Sequence, residues 1–315
     1  MSRVDEAMRR AGASSTDDDA DALAAAEAYP IEMPDRHRVT ADRKEGTDAT
    51  NEHVADLTIA GPDGGSRETP PESPAVARLF ERFHPGVTEK VVIDRRMPVQ
   101  CREQYRRLAA VLHDAQATNH TQVVMVASAV AGEGKTLTAA NIALTLSGSY
   151  RKRVLVIDGD LRKPVMHQLF RVDTAWGLAD GLLPAAEMKI VVRQVTATLA
   201  LLPAGRPMPD PMALLISERM KQLVAEARRT FDWIIIDTPP LVLLPDAHLL
   251  ASIADAALVV VKAASTPHAL VKRATDAIGR SKVLGVVLNN AAQSPHGVYE
   301  GYGDYYSPVT EPERA

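Results

Sequence analysis

The chain has 315 residues, 46% of them hydrophobic and 24% charged, and a net charge of −4. This is enough apolar material for a substantial core in one large domain or two small ones, and the lack of a long Lys/Arg block argues against nucleic-acid partners held by a basic surface. Cys101, the single cysteine, excludes an internal disulfide framework and a cysteine-built metal cluster within one chain, and it fits a reducing, cytosolic compartment.

The N-terminal "MSRVDEAMRRAGASSTDDDADA" lacks the continuous apolar core of a signal peptide. No stretch approaches the roughly 18–20 apolar residues of a membrane span, so any membrane role is expected to run through a partner. Residues 1–75 hold 17 acidic and 8 basic residues, a net of −9, and the remainder carries +5. With "TDDDADA", "GPDGGSRETPPESP" and few large apolar side chains, this leader cannot offset its ordering entropy, and the expectation is a disordered segment. "VDEAMRRA" at 4–11 reads as a short amphipathic helix or as a solvated helix that frays.

From about 76 to 295 the pattern is globular. In "CREQYRRLAAVLHDAQ", Tyr105, Leu108, Ala109 and Leu112 fall at helical spacing and form one apolar stripe. Then come "QVVMVAS", "RVLVIDGD", "DWIIIDTPP", "ALVVVKA" and "GVVLNN" as strands, with helices near 136–148, 212–230, 245–253 and 267–280. The strand runs are apolar throughout instead of alternating, which marks strands covered on both faces and predicts a parallel α/β sheet. Thr266 before Pro267 reads as a capping hydroxyl at a helix start, and Trp176 and Trp233 read as packing residues.

Residues 129–136, "AVAGEGKT", sit between a predicted strand and a predicted helix. They match the phosphate-binding loop G-x-x-x-x-G-K-[ST] except that Ala129 replaces the first glycine. Such a loop rings phosphates with backbone N–H groups, extends a lysine to the β and γ oxygens, and offers a hydroxyl to Mg²⁺. ATP or GTP is therefore assigned to Ala131, Gly132, Glu133, Gly134, Lys135, Thr136 and Leu137. Two further apolar strands end in carboxylate: Asp237 in "WIIIDTPP", and Asp158 with Asp160 in "VLVIDGDLRKP". Carboxylates delivered to the rim where a triphosphate sits can hold Mg²⁺ or its waters, or accept a proton from a nucleophile.

The deviant P-loop, "VIDGDLRKP" as a second Walker-type motif (A′) and "IIIDTPP" as Walker B together resemble the bacterial tyrosine kinases, over about residues 100–295. "EQYRRLAAVLH", "VASAVAGEGKT" and "LLPAGRPMPDPMALL" look most like the tyrosine autokinases of exopolysaccharide loci paired with exosortase (PEP-CTERM) systems. The resemblance implies a P-loop NTPase three-layer sandwich with a mostly parallel central sheet, Mg·ATP as cofactor, and phosphorylation of tyrosines at the chain's own C-terminus. It makes Lys135 the phosphate-binding lysine, Thr136 the Mg²⁺-ligating hydroxyl and Asp237 the Walker B aspartate. Asp158 and Asp160 become the A′ pair, one near the metal and one a base for the tyrosine hydroxyl, undivided between them; Arg162 matches the arginine that follows. Asn289 stands where relatives read adenine with an amide, and it reads equally as a strand-end turn residue. The metal set would be Thr136, Asp158 and Asp237.

The last 17 residues, "YEGYGDYYSPVTEPERA", hold four of the seven tyrosines in a flexible-tail context, residues 296–315. Tyr299, Tyr302, Tyr305 and Tyr306 are the implied phosphoacceptors. The family's interface motif E-x-x-R-x-x-R is incomplete: Glu103 and Arg106 fit, but position 109 is alanine. The implied partners are a separate membrane-embedded polysaccharide co-polymerase acting as activator, a cognate tyrosine phosphatase, and further copies of the chain, at the cytoplasmic face of the inner membrane. A ParA- or MinD-like positioning ATPase shares the expected fold but carries a signature lysine where this chain has Val130. The rival from another class is a non-catalytic, ATP-binding regulatory module of a polysaccharide assembly machine.

Overall fold

Strands apolar on both sides need helices above and below them, and the computed structural model has that layering. It describes residues 88–183, 190–242 and 244–291, together with the backbone of 57–60. The strands are β1 (Leu57–Ala60), β2 (Val123–Ser128), β3 (Val154–Asp158), β4 (Ile190–Gln194), β5 (Leu199–Leu202), β6 (Trp233–Asp237), β7 (Ala256–Lys262) and β8 (Val283–Asn289). They form one sheet in the order β1-β4-β5-β3-β6-β2-β7-β8. Each pairing is parallel except that of β4 with β5.

Side chains alternate between the two sides of each strand. Val124, Val126, Val156, Ile235 and Val260 pack with helices α1 (Val99–Asn119), α2 (Lys135–Gly148) and α3 (Met166–Phe170). Met125, Leu155, Ile157, Ile234, Ile236 and Val259 pack on the other side. There they meet α4 (Leu178–Leu182), α5 (Met212–Leu215), α6 (Glu218–Thr230), α7 (Asp246–Ile253) and α8 (His268–Ile278). The result is the three-layer sandwich expected from the continuous apolar runs. On α1, Ala109 and Leu112 are fully buried and Tyr105 and Leu108 pack beside them, as the stripe requires. Because position 109 lies in that core, an arginine there would be buried against α2.

Four features depart from the sequence expectations. The β4–β5 hairpin was not foreseen, because its connection, Val195–Thr198, carries none of the Gly, Asn, Asp or Pro signals of a turn. The single helix expected over 212–230 is two helices; Ser217 ends the first by donating to the Leu214 carbonyl and caps the second by accepting from Met220 N–H. Trp233 is a core residue but Trp176 is 42% exposed, with Arg206 stacked over its ring. The leader, expected to be disordered, supplies the edge strand Leu57–Ala60 against Ile190–Arg193. Its "LTIA" is a short apolar run that can add to the open edge of β4. The rest of the leader, including 4–11, and the tail with Tyr299, Tyr302, Tyr305 and Tyr306 lie outside the described residues. No described helix is long and apolar enough to cross a membrane.

Candidate active site at the carboxyl edge of the sheet

The parallel strands β2, β3, β6 and β7 present their carboxyl ends on one rim, and each predicted site residue from the strand ends is found there. The phosphate loop leaves β2 between β6 and β7 and is pinned at its start: Leu241 N–H donates to Ser128 O and Val242 N–H to Ala129 O. Gly132 and Gly134 turn with φ of 82° and 90°. A Cβ on Gly134 would also press on the Asn289 side-chain amide, but it is the backbone conformation that demands glycine. Helix α2 then begins at Lys135 with no side-chain cap. Among the described residues no acceptor takes the N–H groups of Ala131 to Lys135, and uncapped amides at a helix N-terminus form an anion-binding cradle. Leu137 turns its side chain into the α1/α2 layer, so only its backbone belongs to this end.

Asp158 and Asp237 are register partners at the ends of adjacent strands, and both are fully buried. Gly159 lets the two chains close: its N–H donates to Asp237 O at 2.9 Å, and a Cβ there would lie 2.7 Å from that oxygen. Asp237 Oδ2 accepts from the Thr136 hydroxyl at 2.6 Å, whereas Oδ1 is buried without a hydrogen-bond partner. Burial pushes the Asp237 carboxyl up to about 6, with Asp160 adding to the rise and Lys135 and Thr136 opposing it. Burial, and then the charge of Asp237, lift Asp158 well above the usual carboxylate range.

The structure separates the A′ aspartates that the sequence left undivided. Asp158 has both oxygens bound to backbone, accepting Asp160 N–H at 3.3 Å and Met166 N–H at 3.1 Å, and so holds the turn after β3. Asp160 retains 6% exposure, accepts Lys163 N–H, and places Oδ2 3.9 Å from Lys135 Nζ. Arg162 is engaged elsewhere. Its Nε and Nη2 lie 2.5 and 3.1 Å from the Asp246 carboxylate, and Nη1 donates to the Pro209 carbonyl. It braces the A′ turn against α7. Asp246 is only 1% exposed, so Arg162→Ala strands a buried charge; we expect a loss of about 3 kcal/mol, seen as a thermal midpoint about 6–12 °C lower. Asn289 donates Nδ2 to Glu133 O at 2.8 Å and accepts Asn290 N–H at 3.0 Å, so its amide braces the phosphate loop.

Sequence reasoning passes over Asp246 and gives Thr266 another role, that of a helix cap. Asp246 looks like an ordinary first-turn acid of α7. Thr266 does not cap α8, which has no side-chain cap; its hydroxyl instead donates to Glu133 Oε1 at 2.6 Å. Neither role has a local signature, because the partners lie far away in the chain.

The described side chains include no ready-made cluster of three His, Cys, Asp or Glu for a metal. Mg²⁺ does not ask for one, since it keeps waters and uses one or two carboxylates beside substrate phosphates. The partnerless Oδ1 of Asp237, next to the Thr136 hydroxyl, is a fitting ligand for it.

A phosphate loop at the centre of a parallel sheet, with carboxylates on the same rim, defines a P-loop nucleotide-binding protein. Residues 121–273 match the AAA domain family. The tyrosine-protein kinase YwqD of Bacillus subtilis is 36% identical over 204 residues, which is 64% of this chain and 86% of that protein. The succinoglycan biosynthesis transport protein ExoP of Rhizobium meliloti is 34% identical over 220 residues, 65% of this chain, but the match spans only 28% of ExoP. The kinase domain of the Escherichia coli tyrosine kinase ETK matches with a TM-score of 0.56 at 26% identity, over 61% of this chain and 78% of that one. The chain belongs to the bacterial tyrosine kinases.

Proposed function

We propose that the chain is a protein-tyrosine autokinase that uses Mg·ATP, phosphorylates Tyr299, Tyr302, Tyr305 and Tyr306, and regulates exopolysaccharide synthesis or export. The observation that carries this reading is the convergence of Lys135, Thr136, Asp160 and Asp237 on one rim beside the free amides of the loop. Asp237 and Thr136 would hold Mg²⁺, which would supply countercharge to the triphosphate. The loop amides and Lys135 hold the triphosphate and neutralise its oxygens. The tyrosine oxygen attacks the γ phosphorus as the bond from that phosphorus to the β–γ bridging oxygen breaks. ADP leaves with the electron pair, and Asp160 takes the phenolic proton. A tyrosine hydroxyl with a pKa near ~10 is a weak nucleophile, so positioning and charge neutralisation carry most of the rate.

Strand β8, the last before the tail, ends on the same rim. Tyr299 is nine residues past Asn290, within ~30 Å of the end of β8 for an extended chain, and Asn289 is itself bonded to the phosphate loop. That reach permits attack on the parent subunit or on a neighbouring copy. In this reading the chain works at the cytoplasmic face of the inner membrane with a membrane-embedded co-polymerase as activator, and a tyrosine phosphatase reverses the modification.

The test is to incubate the full chain with Mg·ATP and the activator's cytosolic segment, then map phosphate by mass spectrometry. The expected result is phosphotyrosine at positions 299, 302, 305 and 306, lost when all four are changed to phenylalanine. ATP turnover stimulated by DNA or lipid with no phosphotyrosine would instead place the chain with the positioning ATPases.

A further inference from the structure

The residue between the two turning glycines of a phosphate loop is an unexpected place for a carboxylate, because a negative side chain aimed inward would repel the triphosphate. Glu133 occupies that place and is only 2% exposed. Its side chain is committed to protein donors. Oε2 accepts Val130 N–H at 2.8 Å, within the loop. Oε1 accepts the Thr266 hydroxyl at 2.6 Å and Lys262 N–H at 3.2 Å, from the end of β7 and the turn before α8. The Glu133 carbonyl accepts Asn289 Nδ2 from the end of β8. One residue thus joins the phosphate loop to the last two strands of the sheet.

We infer that Glu133 is a positioning residue: its carboxylate staples the loop to the β7–α8 turn and holds the amides of 131–135 in their phosphate-binding arrangement before the nucleotide arrives. A loop that turns through two glycines at positive φ loses considerable freedom on ordering, and a fixed anchor removes that loss from the binding step. The carboxylate suits the task because both of its oxygens accept. Glutamine has one accepting oxygen for two backbone N–H groups on opposite sides, so Glu133→Gln leaves one of them facing an amide NH₂. Thr266 is 4% exposed, and its hydroxyl serves the staple instead of capping α8, so Thr266→Val weakens the same contact without touching the loop. Glu133 does not touch the reacting atoms in this arrangement. Its loss therefore acts on affinity and not on the chemical step.

The inference rests on the loop being a nucleotide site, as in the function proposed above. Its test uses the full chain, the variants Glu133→Gln, Thr266→Val and the double variant, and a non-hydrolysable ATP analogue with Mg²⁺ followed by calorimetry. For Glu133→Gln the expected result is an increase of about tenfold or more in Kd and in KM for ATP, with kcat within about threefold of wild type. Thr266→Val should give a smaller increase, and the double variant should be no weaker than Glu133→Gln alone, because both changes break one unit. Amide exchange at Val130 and Lys262 should accelerate in Glu133→Gln while the central strands keep their protection. A variant that melts earlier but binds the analogue as tightly as wild type would overturn the inference, as would additive effects of the two changes. Wild-type chain that binds the analogue yet never forms phosphotyrosine would overturn the kinase reading alone, because the Kd comparison still decides the staple. No uptake by the wild-type chain would overturn both.

Discussion

Lys135→Met yields a folded chain whose autophosphorylation falls by about 10²–10³-fold, the usual effect of removing one preorganised charge-stabilising donor from a reacting centre. Lys135 opens α2, its side chain is 13% exposed, and Nζ lies 3.9 Å from Asp160 Oδ2. Methionine keeps most of the aliphatic stem, so the packing at the start of α2 survives and the thermal midpoint moves by only a few degrees. The lost positive charge also acts on the neighbouring acids. Lys135 holds the Asp237 carboxyl down, so in the variant that group titrates higher and a larger fraction is protonated at neutral pH. Phosphotyrosine measured by mass spectrometry, together with a melting curve, separates these effects. Phosphorylation within about threefold of wild type in a well-folded variant would remove Lys135 from the transition state. A chain that acts purely as a scaffold would by contrast keep its effect on polysaccharide output after the same substitution.

The parts of this fold that were readable in advance are those in which a local pattern is the physical cause. Runs such as Ile234–Ile236 and Val259–Val261 must be buried on both sides, and the structure covers both sides. Asp158 and Asp237 had to lie at the sheet's carboxyl rim because each closes an apolar strand, and their burial follows from the register that pairs them. The less readable parts depend on partners distant in sequence. Arg162 is legible in the sequence only as the arginine that follows the A′ pair; its partner Asp246 lies 84 residues later. Thr266 looked like a cap until Glu133, 133 residues earlier, took its hydroxyl. The A′ aspartates are identical in sequence terms and differ only because the Asp160 and Met166 amides close around Asp158, while Asp160 faces Lys135. The edge strand at Leu57–Ala60 was hidden by its acidic surroundings, since composition averaged over a long leader masks a four-residue run.

Asp237→Asn is expected to stabilise the nucleotide-free chain while abolishing phosphoryl transfer. Asp237 is fully buried, lies in register beside Asp158, and has one oxygen with no partner, so its ionised form is poorly accommodated until a cation arrives. Its carboxyl is raised from an ordinary 3.8 to about 6 in the folded chain, chiefly by burial. The folded state therefore holds this proton more tightly than the unfolded state does. The associated stability is complete below about pH 4 and is lost as the pH climbs through about 6. Asp158 is raised in the same direction and deepens the trend. At pH 7.5 wild type has lost this contribution and Asp237→Asn has not, so the variant should be more stable by on the order of 1–3 kcal/mol, or about 2–12 °C in melting midpoint. At pH 5 the difference should shrink. Asparagine still accepts from Thr136 but brings no negative charge for Mg²⁺, so autophosphorylation should fall by at least about 10²-fold. In wild type, nucleotide binding in the presence of Mg²⁺ should release protons near pH 6, and calorimetry in buffers of different ionisation enthalpy reads that release directly. A variant less stable than wild type at pH 7.5 would show that the Asp237 charge is not a source of strain, and one that phosphorylates at the wild-type rate would show that it is not a ligand in this site.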